Sequence, residues 1–459
     1  MPDASERSSL RLVLQILERR DRARLAVSFL LVFVTTALEM ASLTIVIPVV
    51  QVVVGGDKRS EYSFLPAWLA DLSYLGFVQV LMGALLVVFL LKNLFVLVAN
   101  YLQQRFQLSI TNRVSQRIFE AYIRQPYEFH LTNSSSLLVR NVQEYSAAVV
   151  TNGVAPAITL LTDVATGVGL LSVMFIAQPS STSALLGAFA LCGYAILRIF
   201  RSNIRRWGEE RVRHKGIVLA MLMAGLGGIK EIQVFGRDQQ VLDTYRSSLQ
   251  KASKSSYMFQ TLQGIPRAAF EIIAVAGVSG LVVFAVSRGQ SPQDTTVAIA
   301  LFGVVAFRML PSLNKIIQAV QQFSFGRSAL EGALESLTLP QHLGPAIRGM
   351  ASDEFRTLEI SKLSYAYPKT EIVVAEIESL EIVAGESVGI VGESGSGKST
   401  LVDLLIGILN PQSGSILVNG RDIATDRRYW QDRIGYVPQH VYLMDTTIRR
   451  NVAFGLPEK

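Results

Sequence analysis

Six stretches of the sequence are apolar over a length that matches the hydrocarbon thickness of a lipid bilayer. A helix needs about 20 such residues to cross, and in hydrocarbon only a helix or a closed barrel pairs all of its backbone polar groups. The runs cover residues 25–54, 78–99, 154–176, 184–199, 268–286 and 297–318. They predict an α-helical polytopic chain that crosses a membrane six times, with a short fourth span and an interrupted sixth.

The composition is typical of a membrane protein, since 50% of the residues are hydrophobic and only 17% are charged. The mean hydropathy is +0.36, which is high for a soluble globular chain of ordinary composition. A length of 459 residues allows two or more domains. The single cysteine, Cys192, excludes an internal disulfide and a cysteine-cluster metal site.

Arginine and lysine are distributed unevenly among the segments that flank the spans. They concentrate before the first span, between the second and third, and between the fourth and fifth, whereas the opposite side carries only Lys58, Arg59 and Arg288. Cytoplasmic loops carry the excess of positive charge. The pattern predicts a multi-pass protein of a bacterial-type inner (plasma) membrane with both termini in the cytoplasm. The same asymmetry explains the net charge of +7 without nucleic acid, and no nucleic-acid partner is expected.

The two long basic segments continue a helical apolar period beyond the membrane. Each has a central break, the first at residues 125–127 and the second at residues 225–228. We therefore expect long helices that protrude into the cytoplasm and turn back through a short connecting helix.

The first residues, 1–24, are polar and rich in arginine, and they place Leu10, Val13, Leu14 and Leu17 on one helical face. A face of this kind is typical of a helix that lies in the membrane interface. The apolar run that follows is too long for a signal peptide. We expect a cytoplasmic interfacial helix over 1–24 and a membrane domain over 25–327.

Three charged residues fall within or beside the predicted spans, namely Glu39, Lys92 and Arg308. A charge in hydrocarbon is costly and by default indicates a function, so these residues are candidates for the lining of a substrate cavity. The alternative is that Lys92 and Arg308 extend to the inner interface and that Glu39 pairs with one of them. Both interpretations stay open.

Residues 392–400 have the spacing G-x-x-x-x-G-K-[ST] of a phosphate-binding loop. The glycines let successive backbone N–H groups point at phosphate oxygens, and the following helix presents its positive end to the same anion. Lys398 can then reach the β- and γ-phosphates, and Ser399 can offer its hydroxyl to Mg²⁺. The predicted nucleotide-binding residues of the loop are Gly392, Glu393, Ser394, Gly395, Ser396, Gly397, Lys398, Ser399 and Thr400.

The sequence around this loop fits a strand, a loop and a helix in that order. Residues 387–391 are apolar enough for a short buried strand, and the apolar positions of 401–408 share one helical face. Pro411 marks the end of that helix. An ordinary glycine-rich turn is the alternative, and the agreement of all three elements makes it the weaker interpretation.

A mixed polar stretch, 328–354, suits a linker, and a soluble α/β domain is predicted to cover 355–459. Alternating apolar residues and turn signals predict further strands in this domain. These strands cover residues 357–361, 415–418 and 434–439.

Six spans, long cytoplasmic helices and a phosphate-binding loop in this order resemble the ATP-binding cassette (ABC) exporters over nearly the whole chain. The resemblance implies a half-transporter, with an exporter-type membrane domain fused to a nucleotide-binding domain that uses ATP and Mg²⁺. It implies that Tyr367 stacks on adenine and that Gln439 of the Q-loop contacts Mg²⁺ together with Ser399. Residues 443–451 continue the similarity. A homodimer is implied, or a heterodimer with a complete cassette.

The membrane half is similar to the lipid-linked oligosaccharide flippases of this family, in residues 39–48, 133–141, 228–231 and 307–314. The similarity implies ATP-driven export or flipping, with membrane lipid as partner and a lipid-linked oligosaccharide or related lipid or polysaccharide precursor as substrate. Arg308 would suit the phosphates of such a head group. An exporter of drugs, peptides or proteins with the same fold is the alternative.

The sequence departs from the family near Lys459, which follows Gln439 closely. The signature motif, the Walker B aspartate, the adjacent catalytic glutamate and the switch histidine of the family are not among the 459 residues. We therefore assign no catalytic residue and expect a partial cassette whose parent is an ATPase. The alternative from another class is a truncated, non-catalytic membrane subunit or fragment.

Overall fold

A computed structural model gives the fold, and it describes residues 9–55, 73–177, 179–287, 292–340, 353–368, 370, 372–439 and 441–456. The chain divides into two compact units. The first contains Met1–Ile123 and Ser134–Pro340, and the second contains Arg124–Asn133 together with Gln341–Lys459. The second unit therefore includes a short segment that interrupts the first unit in sequence.

Helices form nearly all of the described part of the first unit. In chain order, and including the short helix α4 of the second unit, they are α1 (Ser9–Ile16), α2 (Arg19–Gly55), α3 (Tyr74–Ile123), α4 (Tyr127–Thr132), α5 (Ser135–Arg140), π1 (Asn141–Tyr145), α6 (Ser146–Val149), π2 (Val150–Val154), α7 (Ala155–Ala177), α8 (Pro179–Gly227), α9 (Ile229–Phe235), α10 (Asp238–Leu262), α11 (Ile265–Ser287) and α12 (Pro292–Leu337). The labels π1 and π2 denote single π-helical turns.

The predicted spans fall almost entirely within α2, α3, α7, α8, α11 and α12. Within the described residues, Leu75–Ile123 and Ser135–Gly169 are each long and apolar enough to cross a membrane. A further candidate is formed if Leu186–Gly227 and Ile229–Phe235, which meet at 76°, count as one bent span. The helical architecture expected from the apolar runs is thus present.

Short helices occupy both predicted breaks. α3 ends at Ile123 and α4 begins at Tyr127, and α9 follows the 76° bend after α8. Gly236 ends α9 in the left-handed conformation, with a φ of 59°, which glycine adopts without strain. The prediction of two connecting helices is confirmed.

Helix α1 packs on protein through part of the predicted apolar face, because Val13 and Leu17 of that face are 3% and 2% exposed. Val13 and Ile16 are buried, whereas Leu10 and Leu14 are 42% and 45% exposed. A Cβ atom at Gly153 in π2 would lie 2.6 Å from Val13 Cγ2, so this glycine permits the close approach of α1. Contact with π2 and α12 determines which side chains of α1 are buried. The apolar period of the sequence alone does not identify these side chains.

Helix α12 continues to Leu337, well into the predicted linker 328–354. Leu330 and Ala333 are fully buried in this part, and a Cβ atom at Gly332 would lie 2.4 Å from the Tyr145 ring. Burial against π1 therefore keeps these residues helical although their polar neighbours favoured a linker.

The second unit contains an antiparallel sheet in the strand order β2-β1-β3-β4. Ile360 in the central strand pairs with Leu380 on one side and Ile416 on the other. Both Ile360 and Ile416 are buried with Leu404 from the helix after the phosphate-binding loop. The elements of this unit are β1 (Thr357–Ala366), β2 (Val373–Val383), α13 (Lys398–Leu405), β3 (Ser413–Val418), β4 (Arg421–Asp422), α14 (Arg427–Gln431) and α15 (Ile448–Val452).

Two predicted strands are absent, since 387–391 and 434–439 have irregular backbone. Val391 is 92% exposed and Val437 is 88% exposed. A strand forms only where a neighbour accepts its backbone hydrogen bonds, and no described strand pairs with either segment. Helix α13 is also shorter than predicted, because Gly407 turns the chain with a φ of 71°.

Candidate nucleotide-binding site

The phosphate-binding loop depends on two glycines in the left-handed conformation. Gly395 has a φ of 84° and Gly397 has a φ of 86°. A Cβ atom at Gly397 would lie 2.2 Å from the carbonyl oxygen of Val374 in β2. Side chains therefore cannot replace the glycine at 397 without moving the backbone of the sheet.

Lys398 folds back over the loop that precedes it. Its Nζ atom donates to the carbonyl oxygens of Gly392 at 2.9 Å and Glu393 at 2.6 Å. An ammonium group has three N–H donors, so one stays available for an anion beside the loop. The two carbonyl oxygens hold the positive charge beside the loop.

The loop leads directly into α13, whose first turn completes the site. Leu401 N–H donates to the Gly397 carbonyl at 2.8 Å, so the helix begins at the loop and its positive end faces it. Ser399 is exposed and Thr400 is buried. Exposure leaves the Ser399 hydroxyl accessible to a cation bound beside the phosphates.

The structure brings Tyr367 to this helix. The Tyr367 hydroxyl and Thr400 Oγ1 form a hydrogen bond of 2.9 Å, and the Tyr367 ring meets the Tyr365 ring edge-on at 5.3 Å. Gln439 is exposed, and no contact between it and Ser399 occurs among the described residues. The loop, Lys398 and Tyr367 thus form one cluster, to which Gln439 does not contribute in this state.

A loop of this geometry fits the triphosphate of a nucleotide. It combines glycine-dependent curvature, a fixed ammonium group, a helix N-terminus and an exposed hydroxyl in one place. This fit applies to the phosphates and not to the adenine ring. The described ring and hydroxyl contacts of Tyr367 are with Tyr365 and Thr400 of the protein.

Helix α4 contributes Glu128, which the sequence analysis did not identify. Glu128 Oε1 accepts a hydrogen bond from Asn410 N at 3.3 Å, just beyond α13. Burial, and next the charge of Glu128, raises the pKa of Tyr365 to about 12. The available sequence signal was an acidic residue in the first turn of a helix after Pro126. This signal is weak, because helix N-termini favour acidic residues for local electrostatic reasons as well.

The charged residues of the membrane segments are only partly described. Lys92 is half-buried, and its Nζ atom lies 4.8 Å from the centre of the Phe89 ring. The side chains of Glu39 and Arg308 lie outside the described residues. Lys92 therefore contacts an aromatic neighbour of its own helix, and no described contact joins it to the other two candidates.

A further pair of charges lies on α7 and α12, and the sequence analysis missed it. Asp163 is buried within the third predicted span, and its Oδ1 atom is 3.8 Å from Lys315 Nζ. The principle applied to Glu39, that a charge inside an apolar run indicates function, would have identified Asp163 from its position in 154–176.

Two family profiles match the chain. The profile described as ABC transporter transmembrane region matches residues 25–310, and the profile described as ABC transporter matches residues 376–458. The second match contains the whole phosphate-binding loop.

Several curated proteins are similar in sequence. An uncharacterized ABC transporter ATP-binding protein of Sinorhizobium fredii is 25% identical over 80% of this chain and 63% of its own length. ATP-binding cassette sub-family B member 10, mitochondrial, of Mus musculus is 26% identical over 77% of this chain and 50% of its own. An ATP-dependent lipid A-core flippase of Dechloromonas aromatica is 23% identical over 81% and 63%. The chain spans between half and two thirds of the length of these relatives.

A solved structure has the same fold. It is described as a bacterial Atm1-family ABC exporter with ATP bound, and it superposes with a TM-score of 0.70 and 18% sequence identity. The match covers 95% of this chain and 74% of the other. With the family matches across both units, the chain is a member of the ABC transporter family, and it fuses an exporter-type membrane domain to a nucleotide-binding domain as half-transporters do.

Proposed function

We propose that this chain belongs to a transporter that uses ATP to export or flip a phosphate-bearing lipid across a bacterial inner membrane. The geometry of the phosphate-binding loop carries the ATP part of the proposal. Lys398 is already held over the loop by two carbonyl oxygens, so a triphosphate finds a positive charge in place.

Each site residue has a proposed role. The backbone of the loop and Lys398 hold the phosphates, and Ser399 contributes its hydroxyl to Mg²⁺. Gln439 is proposed as a second magnesium contact and Tyr367 as the adenine-stacking residue, which would require the Tyr367 ring to leave its neighbour Tyr365. Magnesium, when bound, would supply charge neutralisation to the phosphates.

The proposed substrate is a lipid-linked oligosaccharide or a related lipid or polysaccharide precursor. Curated relatives named as ATP-dependent lipid A-core flippases support a lipid substrate. Lys92 and Arg308 would supply cations to an anionic head group within the membrane domain, with Glu39 as a neighbouring acid.

The proposed assembly is a dimer of two such chains, or a pair with a second chain that carries a complete cassette. Closed symmetric dimers are the commonest oligomers. Both termini would lie in the cytoplasm, because the basic segments flank the spans on that side. ATP would then reach the second unit from the cytoplasm.

Binding of Mg·ATP to the purified chain tests this proposal. Lys398→Ala should weaken binding at least about tenfold, because it removes a charge-assisted contact to phosphate. Arg449→Ala removes the same charge from an exposed position of the second unit and should leave binding unchanged. Equal affinities for the wild-type chain and Lys398→Ala would contradict the assignment of the site.

A further inference from the structure

The chain enters β1 through residues 353–356, called the linker end, and this segment is tied to helix α14. Arg433 donates from Nε and Nη2 to the carbonyl oxygen of Asp353 at 3.2 and 2.7 Å. Its Nη1 donates to the carbonyl oxygen of Tyr429, and its Cζ atom lies 3.9 Å from the centre of the Tyr429 ring. One arginine thus joins the backbone of the linker end to α14.

The turn between β3 and β4 holds the linker end at a second place. Asn419 Oδ1 accepts the N–H of Arg356 at 2.8 Å, and Asn419 Nδ2 donates to the carbonyl oxygen of Glu354 at 2.7 Å. Asn419 has a φ of 51°, a conformation that asparagine adopts more readily than most residues. The linker end therefore has two anchors, which substitutions can release separately.

The side chain of Phe355 brings the linker end into contact with Trp430 of α14. The two ring centres are 5.7 Å apart, with an angle of 36° between the ring planes. Both side chains are half-buried and pack against the core cluster that contains Leu404 of α13. The indole N–H of Trp430 donates to the carbonyl oxygen of Leu405 at 2.6 Å. A continuous path of contacts therefore leads from Phe355 through Trp430 to the last residue of α13.

Helix α14 supports the end of α13 that lies away from the phosphate-binding loop. A helix leaves its last four carbonyl oxygens without intrahelical partners. Trp430 binds the one of Leu405, and Gln431 Nε2 donates to that of Ile406 at 3.3 Å. Helix α13 has eight residues and is about 12 Å long, so this support is one short helix away from Lys398.

We infer that Trp430 is a positioning residue of the nucleotide site, and that the linker end acts on α13 through it. A shift of the linker end would move Phe355 against Trp430 and change the support of the Leu405 carbonyl. Nucleotide bound at the other end of α13 would in turn tighten the linker end, because coupling between two sites is reciprocal. The nucleotide part of the inference rests on the proposed function, whereas the path from linker end to helix does not.

Hydrogen–deuterium exchange of the purified full chain without nucleotide tests the path. Phe355→Ala should speed exchange in residues 401–409 about threefold, since an aromatic contact is lost. Trp430→Phe should speed it about fivefold, since a hydrogen bond is lost. The double variant should match Trp430→Phe, because both changes break one path.

Two control variants accompany this measurement. Phe355→Tyr keeps the ring and should exchange like the wild type. Asn419→Gly keeps the left-handed backbone without the amide. It should speed exchange in residues 353–358 and leave residues 401–409 unchanged, because it releases only the anchor at the turn.

Addition of Mg·ATP tests the reciprocal effect. In the wild type it should slow exchange in residues 353–358 about threefold, the factor by which Phe355→Ala should weaken Mg·ATP binding. Trp430→Phe should bind Mg·ATP about threefold more weakly and lose this protection of the linker end. A merely structural role of Trp430 would speed exchange with and without nucleotide and leave the nucleotide-dependent difference intact.

Three results would overturn the inference. Residues 401–409 could exchange in Phe355→Ala as in the wild type. The effects of Phe355→Ala and Trp430→Phe could simply add in the double variant. The wild type could bind Mg·ATP without any change in residues 353–358, which would reject the coupling while the proposed ATP site stands.

Failure of the proposed function has a different signature. A wild-type chain that does not bind Mg·ATP would contradict the proposed ATP site, and the measurement without nucleotide would still decide whether Trp430 connects the linker end to α13. If Trp430→Phe does not fold, the contrast between Phe355→Ala and Phe355→Tyr decides the same question.

Discussion

Gly397 and Gly395 have nearly the same backbone conformation but different surroundings. Both have a φ near 85°, at 86° and 84°, whereas a Cβ atom would meet Val374 O at 2.2 Å only at Gly397 and nothing within 4 Å at Gly395. Substitutions at the two glycines therefore distinguish the effect of conformational strain alone from the effect of strain combined with a steric clash with the sheet.

Alanine at these positions should give unequal effects. Gly395→Ala carries only the left-handed penalty of about 1–2 kcal/mol, so we expect moderately weaker Mg·ATP binding. Gly397→Ala adds the clash with β2 and should abolish binding and lower the thermal unfolding temperature. Isothermal titration and a thermal melt measure both quantities. Equal losses for the two variants would show that the contact with Val374 is unimportant.

At the scale of elements, α4 is covalently part of the membrane segment but packs within the second unit. Its Glu128 accepts the hydrogen bond of Asn410 N, close to the end of α13. The other carboxylate oxygen of Glu128, Oε2, is buried without a hydrogen-bond partner among the described residues. One side chain thus ties a connecting helix to the helix that starts at the phosphate-binding loop.

Substitution of Glu128 should loosen this connection. Glu128→Ala removes the acceptor and should increase hydrogen–deuterium exchange in the peptide that contains Asn410. Glu128→Gln keeps an acceptor oxygen and should retain most of the protection. Exchange that is the same in all three proteins would mean that the hydrogen bond does not hold α4 in place.

Elements defined by local pattern were predictable, and those that depend on distant partners were not. The apolar runs and the break before Tyr127 follow from residues close in sequence. The irregular backbone at 387–391 and the burial of Ile16 in α1 depend on which surfaces meet in three dimensions. The same holds for the nucleotide-binding site, because the spacing around Lys398 identified the loop, whereas the hydrogen bond from Asn410 to Glu128 joins residues far apart in the chain.

For the whole molecule, the uneven distribution of basic residues makes a prediction about orientation. In a Cys192→Ser background, Ser73→Cys before α3 should react with an impermeant maleimide in intact cells. Arg237→Cys after α9 should react only after the membrane is opened, because positively charged segments stay in the cytoplasm. Labelling of Arg237→Cys in intact cells would reverse the proposed topology.

The uninterrupted course of α12 has a mechanical consequence. Its 46 residues make a rod of about 69 Å, and Pro311 lies within it without ending it. Tilting such a rod by about 5° about its centre displaces each tip by about 3 Å, in opposite directions. Lys315 and its ion pair with Asp163 lie near the midpoint, where a tilt of the helix displaces the side chains least.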